Sequence, residues 1–283
     1  MPFVVNSAPT RAERIILALL AAFTVVALAG YAVFGRHPEL LRGSPTAVAV
    51  YGAAFPMFAR GQVVLSAAAL FVVLVGRAGV QWAVSFAAIY VASLSSELAG
   101  TTVGLPFGPY QYTDALGPKW FGHVPVLIPL SWFLMAVPSY AMARRLVDPA
   151  KTWRRIAFAS FILLAWDLAL DPAMSYATKY WVWGATGPYY GMPWLNLFGW
   201  YVTGVVLMVL LAITRADGWI ARLPIGWLAA YYAINLAMSL GIDMAARLDG
   251  AVVASLVPLL VCVAAVRQAR ASTAPVSSRV IEA

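Results

Sequence analysis

The chain is poor in charge, with Asp, Glu, Lys and Arg making up 11% of its 283 residues. It holds one cysteine, Cys262, and two histidines, His37 and His123. A lone cysteine excludes an intrachain disulfide, and these three residues are spaced nothing like a metal-ligand set. Also missing are a phosphate-cradling Gly-x-x-x-x-Gly-Lys loop, a Gly-x-Ser-x-Gly elbow, a His-Glu-x-x-His pair, a haem ligand pair and a paired-aspartate magnesium motif. Nucleotide, zinc and prenyl-diphosphate chemistry are therefore disfavoured, and no cofactor or metal is expected.

What the chain has in abundance is apolar sequence. Hydrophobic residues make up 63% of it, and the mean hydropathy is +0.82. The apolar runs reach bilayer-spanning length and do not alternate with period two, which points away from a β-barrel. Eight runs stand out: Ile15–Phe34, Thr46–Gly76, Val80–Leu98, Val124–Leu146, Ile156–Asp171, Leu197–Thr214, Pro224–Ala245 and Ala251–Val266. The expected fold is all-α, a polytopic integral membrane helical bundle of about eight transmembrane helices, with seven as the alternative count. Residues 1–271 are read as one transmembrane domain and 272–283 as a polar, disordered cytoplasmic tail. The second run is long and contains Pro56 and Arg60, so a kinked helix or an interfacial stretch before a short span is expected there. The first run has a basic flank and no small-residue cleavage site after it, the pattern of a retained signal anchor.

The net charge of +8 invites a nucleic-acid reading, but the basic residues are scattered between apolar runs. They serve better as topology signals and headgroup contacts, so lipid is expected as a partner and nucleic acid is not. With a cytoplasmic N-terminus, the inner ends carry Arg11, Arg14, Arg77, Arg144, Arg145, Lys151, Arg154, Arg155, Arg215, Arg222, Arg267, Arg270 and Arg279. The outer ends carry Arg36, Arg42, Lys119, Lys179 and Arg247. This bias predicts both termini in the cytoplasm, with the protein in the bacterial inner membrane.

The acids are the informative minority. Glu97, Asp167, Asp171 and Asp243 lie in or beside apolar runs, where a carboxylate costs about 2.5–3.5 kcal/mol on insertion scales and marks a functional site by default. At about 1.5 Å per residue, all four fall in the outer half of a core about 30 Å thick. Asp167 and Asp171, in AWDLALDPAM, are four residues apart and share a helix face. Two carboxylates so placed repel each other, and a proton held between them relieves this, as a general acid requires. Pro172 is expected to disfavour helical geometry at Asp171 and end the span.

Plainer alternatives stand beside each acid. Asp171 caps a helix–loop junction, Asp167 pairs with a buried Arg such as Arg60, Glu97 is solvated by headgroups, and Asp243 pairs with Arg247 one turn on.

Two long loops fall at the level of the acids. TTVGLPFGPYQYTDALGPKW follows Glu97, and MSYATKYWVWGATGPYYGMPWLNLFGW follows Asp171. They look like one wall of a site for a greasy substrate. Both contain Gly-Pro-Tyr, at Gly108–Tyr110 and Gly187–Tyr189. Five of the eleven tryptophans lie between Trp166 and Trp200, with four tyrosines. An interfacial aromatic belt accounts for any one of these rings. The cluster as a set suits stacking on a conjugated chain and stabilising a passing cation. Asn196 and Asn235 are expected to link helices.

The order ELAG, GLPFGPYQYTDALGP, VPVLIPLSW, AWDLALDPAM, YWVWGATGPYYGMPWLNLFGW resembles the membrane carotenoid biosynthesis family, which includes carotenoid 1',2'-hydratases and bisanhydrobacterioruberin hydratases. The likeness covers roughly residues 90–205. It implies cofactor-free addition of water across the terminal isopropylidene double bond of an acyclic carotenoid such as lycopene or γ-carotene. On chemical grounds Asp167 is the expected acid, with Asp171 or Glu97 as the base that positions water. Trp166, Trp181, Trp183, Tyr110, Tyr112, Tyr189, Asn196 and Trp200 are expected around the substrate. Expected partners are the carotenoid, membrane lipid and other carotenoid-biosynthesis enzymes. A lycopene cyclase, starting from the same protonation, and a proton-coupled transporter of lipophilic cargo are the competing readings.

Overall fold

The computed structural model describes residues 8–148 and 150–273. The tail expected to be disordered lies, beyond residue 273, outside the described residues. The helices are α1 (Arg11–Gly30), α2 (Pro45–Ala78), α3 (Trp82–Val103), α4 (Leu127–Leu146), α5 (Thr152–Asp171), α6 (Trp194–Ile213), the short α7 (Ala216–Ile220), α8 (Ile225–Ala245) and α9 (Asp249–Thr273). Every apolar run of the sequence has its long helix. Among the described residues, six segments are long and apolar enough to span a membrane: Arg11–Gly35, Pro45–Ala78, Trp82–Val103, Thr152–Ala177, Trp194–Ile213 and Ile225–Ala245. The fold is an all-α polytopic membrane bundle.

Burial separates inner from outer helices. α4 carries a nearly continuous buried stretch from Trp132 to Ala141, and α5 packs against α4, α6, α8 and α9. Leu70, Val73, Phe133, Val137, Leu163, Leu207 and Tyr231 form the centre. The outward faces are just as greasy. Val25, Val64, Val75, Val91 and Ile213 are all more than half exposed, which suits hydrocarbon as the surrounding solvent.

Side-chain bonds to backbone carbonyls tie the helices together. Tyr232 donates to the Ile162 carbonyl at 2.7 Å, Ser255 to Ala165 at 2.6 Å and Tyr231 to Ser66 at 3.1 Å. Asn235 accepts from Ser66 at 2.8 Å, linking α8 to α2 as expected of it. At the positively charged helix ends, Arg77 pairs with Glu13 at 2.6 Å, and Arg144 and Arg155 both pair with Asp217.

One local expectation is sharpened and one is corrected. The second run forms a single helix: α2 covers 34 residues without interruption and passes through Pro56. A single lost backbone bond does not end a helix in lipid, where the turns on either side have no better partner than themselves. Nor does Pro172 take Asp171 out of helical geometry. Asp171 has φ −61° and ψ −50°, and the chain continues as a π-helical turn over Pro172–Ala177. Ser175 Oγ donates to the Asp171 carbonyl at 2.7 Å, an added side-chain bond across this turn.

The two long loops carry the four short strands: β1 (Tyr110–Tyr112), β2 (Lys119–Trp120), β3 (Val124–Pro125) and β4 (Trp181–Trp183). β1 and β4 pair antiparallel, with Tyr110 opposite Trp183 and Tyr112 opposite Trp181. The loops that follow Glu97 and Asp171 are thereby stitched into one cover over the helix ends. Gly199 on α6 lets the first loop seat closely, because a Cβ there would lie 2.6 Å from the Pro106 carbonyl oxygen.

Candidate active site

Under this cover three carboxyl groups from two helices meet, and their surroundings differ sharply. Glu97, on α3 and 3% exposed, accepts three hydrogen bonds. Trp132 Nε1 donates to Oε1 at 2.8 Å, Tyr112 donates to Oε2 at 2.9 Å, and Tyr110 makes a short bond to the same oxygen. Burial first, and then the neighbouring Glu97 carboxyl, pushes both phenols far above their ordinary value, so both remain donors at physiological pH. Gly100, one turn beyond Glu97, leaves room for this: a Cβ there would stand 2.9 Å from the Tyr110 ring.

Asp171 is 2% exposed. It accepts from Trp181 Nε1 at 2.8 Å, and Asn196 Nδ2 donates to its other oxygen. The donors come from β4 and α6, so the loop after α5 folds back to satisfy the acid at that helix's end. Asn196 thus links α6 to α5, a helix–helix role directed at an acid.

Asp167, one turn earlier, is completely buried, and no donor among the described residues reaches either of its oxygens. Asp171 follows one turn later on the same helix, and two carboxylates so placed in a dry interior repel each other unless one carries a proton.

Between Glu97 and Asp171 lies a cavity of about 30 Å³, lined by Tyr110, Tyr112, Trp132, Trp181, Trp183, Asn196 and Trp200 among others. That volume and those polar walls suit one or two water molecules and nothing larger. On its wall Trp132 and Trp200 stack directly on each other at 3.9 Å, and Tyr110 lies 5.3 Å from Trp183. Of the residues singled out from sequence, Trp166, Asp167 and Tyr189 are not on its wall. Trp166 meets the edge of Trp200 at 6.0 Å. Tyr189 bonds the Leu168 carbonyl at 2.7 Å and braces α5 from the second loop.

Sequence reasoning missed Trp132, Phe107, Ser131, Ile128 and Leu170, all of which line the cavity. Trp132 lies 35 residues from Glu97, and no spacing rule joins them. The alternative partners for the acids fail. Arg60 does not meet Asp167; its Nε donates to the Ala115 carbonyl at 2.8 Å and holds the turn beneath the first loop. Asp243 does not pair with Arg247. It is fully buried, without a donor among the described residues, while Arg247 adopts φ 61° past the helix end and turns away from i+4 geometry.

Bisanhydrobacterioruberin hydratase of Haloarcula japonica is 31% identical to the chain over 125 residues, 44% of this chain and 42% of that relative. The chain therefore matches less than half the length of this relative. No solved structure matches it. The model of the carotenoid biosynthesis protein family matches residues 58–264, a span that contains all three clustered acids, both loops and Trp132, and the chain belongs to that family.

Proposed function

We propose that the protein is a cofactor-independent carotenoid hydratase, adding water to the terminal 1',2' double bond of an acyclic carotenoid end group. The observation that carries this reading is the asymmetry among three buried acids, two of which, Glu97 and Asp171, line a water-sized cavity while Asp167 lies one turn behind Asp171. Glu97 and Asp171 are furnished with donors and suit the charged or accepting state. No donor among the described residues reaches Asp167, and a buried carboxyl without donors is far less costly neutral than charged.

The reaction follows from that division. Asp167 delivers its proton to C2 of the alkene, and the positive charge appears at the tertiary carbon C1. The surrounding indoles, Trp132, Trp166 and Trp200 foremost, present π faces and edges that stabilise a cation without trapping it. Water in the cavity bonds to C1 through oxygen. Its surplus proton passes to Asp171 or Glu97, and a proton returned to Asp167 closes the cycle. Protons balance, and no electrons change hands. The small cavity limits water to the place where capture occurs.

The relative named as a hydratase supports this reaction class, and the family supports a carotenoid as substrate. Expression in a bacterium that accumulates lycopene, followed by mass analysis of the pigments, tests the proposal. The expected product is heavier by one water with an unchanged chromophore, and in heavy water it carries one carbon-bound deuterium. A product of unchanged mass and shifted absorption would instead mean cyclisation, with an internal alkene quenching the same cation.

A further inference from the structure

A second, larger space lies on the other side of the π-helical turn. It is a cleft of about 360 Å³ between α1, α2, α8 and the turn Pro172–Ala177, with an almost wholly apolar lining. Its mouth is on the lipid face, where Val26 and Val50 are each more than half exposed. Its inner surface is a succession of aromatic rings. Phe34 meets Tyr51 at 6.0 Å, Tyr51 meets Phe55 at 6.0 Å, and Phe55 stacks on Tyr180 at 5.6 Å with the planes 11° apart. Tyr180 also donates to the Phe55 carbonyl at 3.3 Å, fixing the inner end of the row.

The next residue in the chain is Trp181, whose indole holds Asp171. The row of rings therefore runs from the lipid face to the residue beside the acid cluster. Ala173, two positions beyond Asp171, packs into the apolar cluster behind the cleft with Tyr31, Met238 and Ile242.

We propose that this cleft binds the conjugated chain of the carotenoid and admits it sideways from the bilayer. The inference rests on the hydratase reading for the identity of the ligand. The chemistry of the walls selects that occupant over a phospholipid tail. A rigid, planar polyene gains stacking contact along a row of rings and loses little conformational freedom on binding. A saturated acyl chain gains no stacking and must be ordered. The cleft lies in the range of volumes that enclose drug-sized ligands, and no charged residue lines it.

Gly30 provides a clean test. It lines the cleft, and a Cβ added there meets nothing within 4 Å. Gly30→Trp therefore fills the space from a helical position without displacing backbone, and Ala54→Phe fills it from α2. Purified protein in lipid nanodiscs is titrated with lycopene, and binding is read from induced circular dichroism in the polyene band. Wild type and Asp167→Asn should bind alike, whereas Gly30→Trp and Ala54→Phe should weaken binding at least tenfold, with far-UV spectra unchanged. Equal binding in both filled variants would overturn the inference. So would a wild-type cleft that retains phospholipid, seen by native mass spectrometry, and gives no lycopene signal. The two proposals fail separately. Lycopene bound in a Gly30-sensitive way but never hydrated refutes the hydratase reading, while normal hydration by both filled variants refutes the cleft.

Discussion

Asp167 and Asp171 sit one turn apart on the same helix, equally buried, yet Asp171 accepts from Trp181 and Asn196 while no donor among the described residues reaches Asp167. Neighbours with the same chemistry are thus prepared for opposite parts. The difference originates outside their helix, in a strand of the second loop and the helix that follows it, and it makes Asn196 the residue through which the division can be tested.

Asn196→Ala removes one donor from Asp171. A hydrogen bond to a charged group contributes about 1.5–3 kcal/mol, so turnover should fall about ten- to a hundredfold with the bundle still folded. Pigment conversion by equal amounts of membrane-inserted protein measures this. Turnover within twofold of wild type would mean that Asp171 is not used as an acceptor.

Trp132→Phe keeps most of the stack on Trp200 and deletes the Nε1 donor to Glu97. The buried carboxylate loses one of three partners, and stability should drop by about 1.5–3 kcal/mol. Thermal unfolding in a mild detergent shows the loss. A matching Glu97→Gln change should make Trp132→Phe less costly, because a neutral amide needs the donor less. Additive losses in the double variant would argue against a direct coupling.

Gly199→Ala tests the seating of the cover. The new methyl would stand 2.6 Å from the Pro106 carbonyl oxygen, and backbone cannot yield as a flexible side chain does. A penalty of about 1–3 kcal/mol is expected, visible as a lower melting temperature together with reduced turnover, since the first loop carries Tyr110 and Tyr112. An unchanged melting temperature would mean that the loop does not rest on α6.

What was legible in the sequence was what is local. Length and apolarity placed all eight long helices, because a span must satisfy its own backbone in lipid and needs no partner to declare itself. Glu97, Asp167 and Asp171 stood out for the same reason, as isolated expensive groups. Their partners were not legible. Arg60 was a reasonable counter-ion for Asp167 on charge alone, but its bonds go to the Asp114 and Ala115 carbonyls, acceptors that every residue carries and no sequence advertises. Trp132 could not be matched to Glu97 because the pairing depends on how α3 and α4 cross. Asp243 was paired with Arg247 by helical spacing, yet the helix ends at Ala245, before that spacing is complete. The junction of β1 with β4 joins segments about 70 residues apart, and only the closed fold brings them together.

The central claim is that the buried Asp167 supplies the proton for hydration. The most direct measurement is pigment conversion in a lycopene-accumulating bacterium by wild type and Asp167→Asn, matched for membrane-inserted protein. Asparagine keeps the volume and cannot deliver the proton. A loss of about 10²- to 10⁴-fold in hydrated product, with lycopene still bound, is the predicted result. Undiminished hydration by Asp167→Asn would contradict the account and move the acid elsewhere.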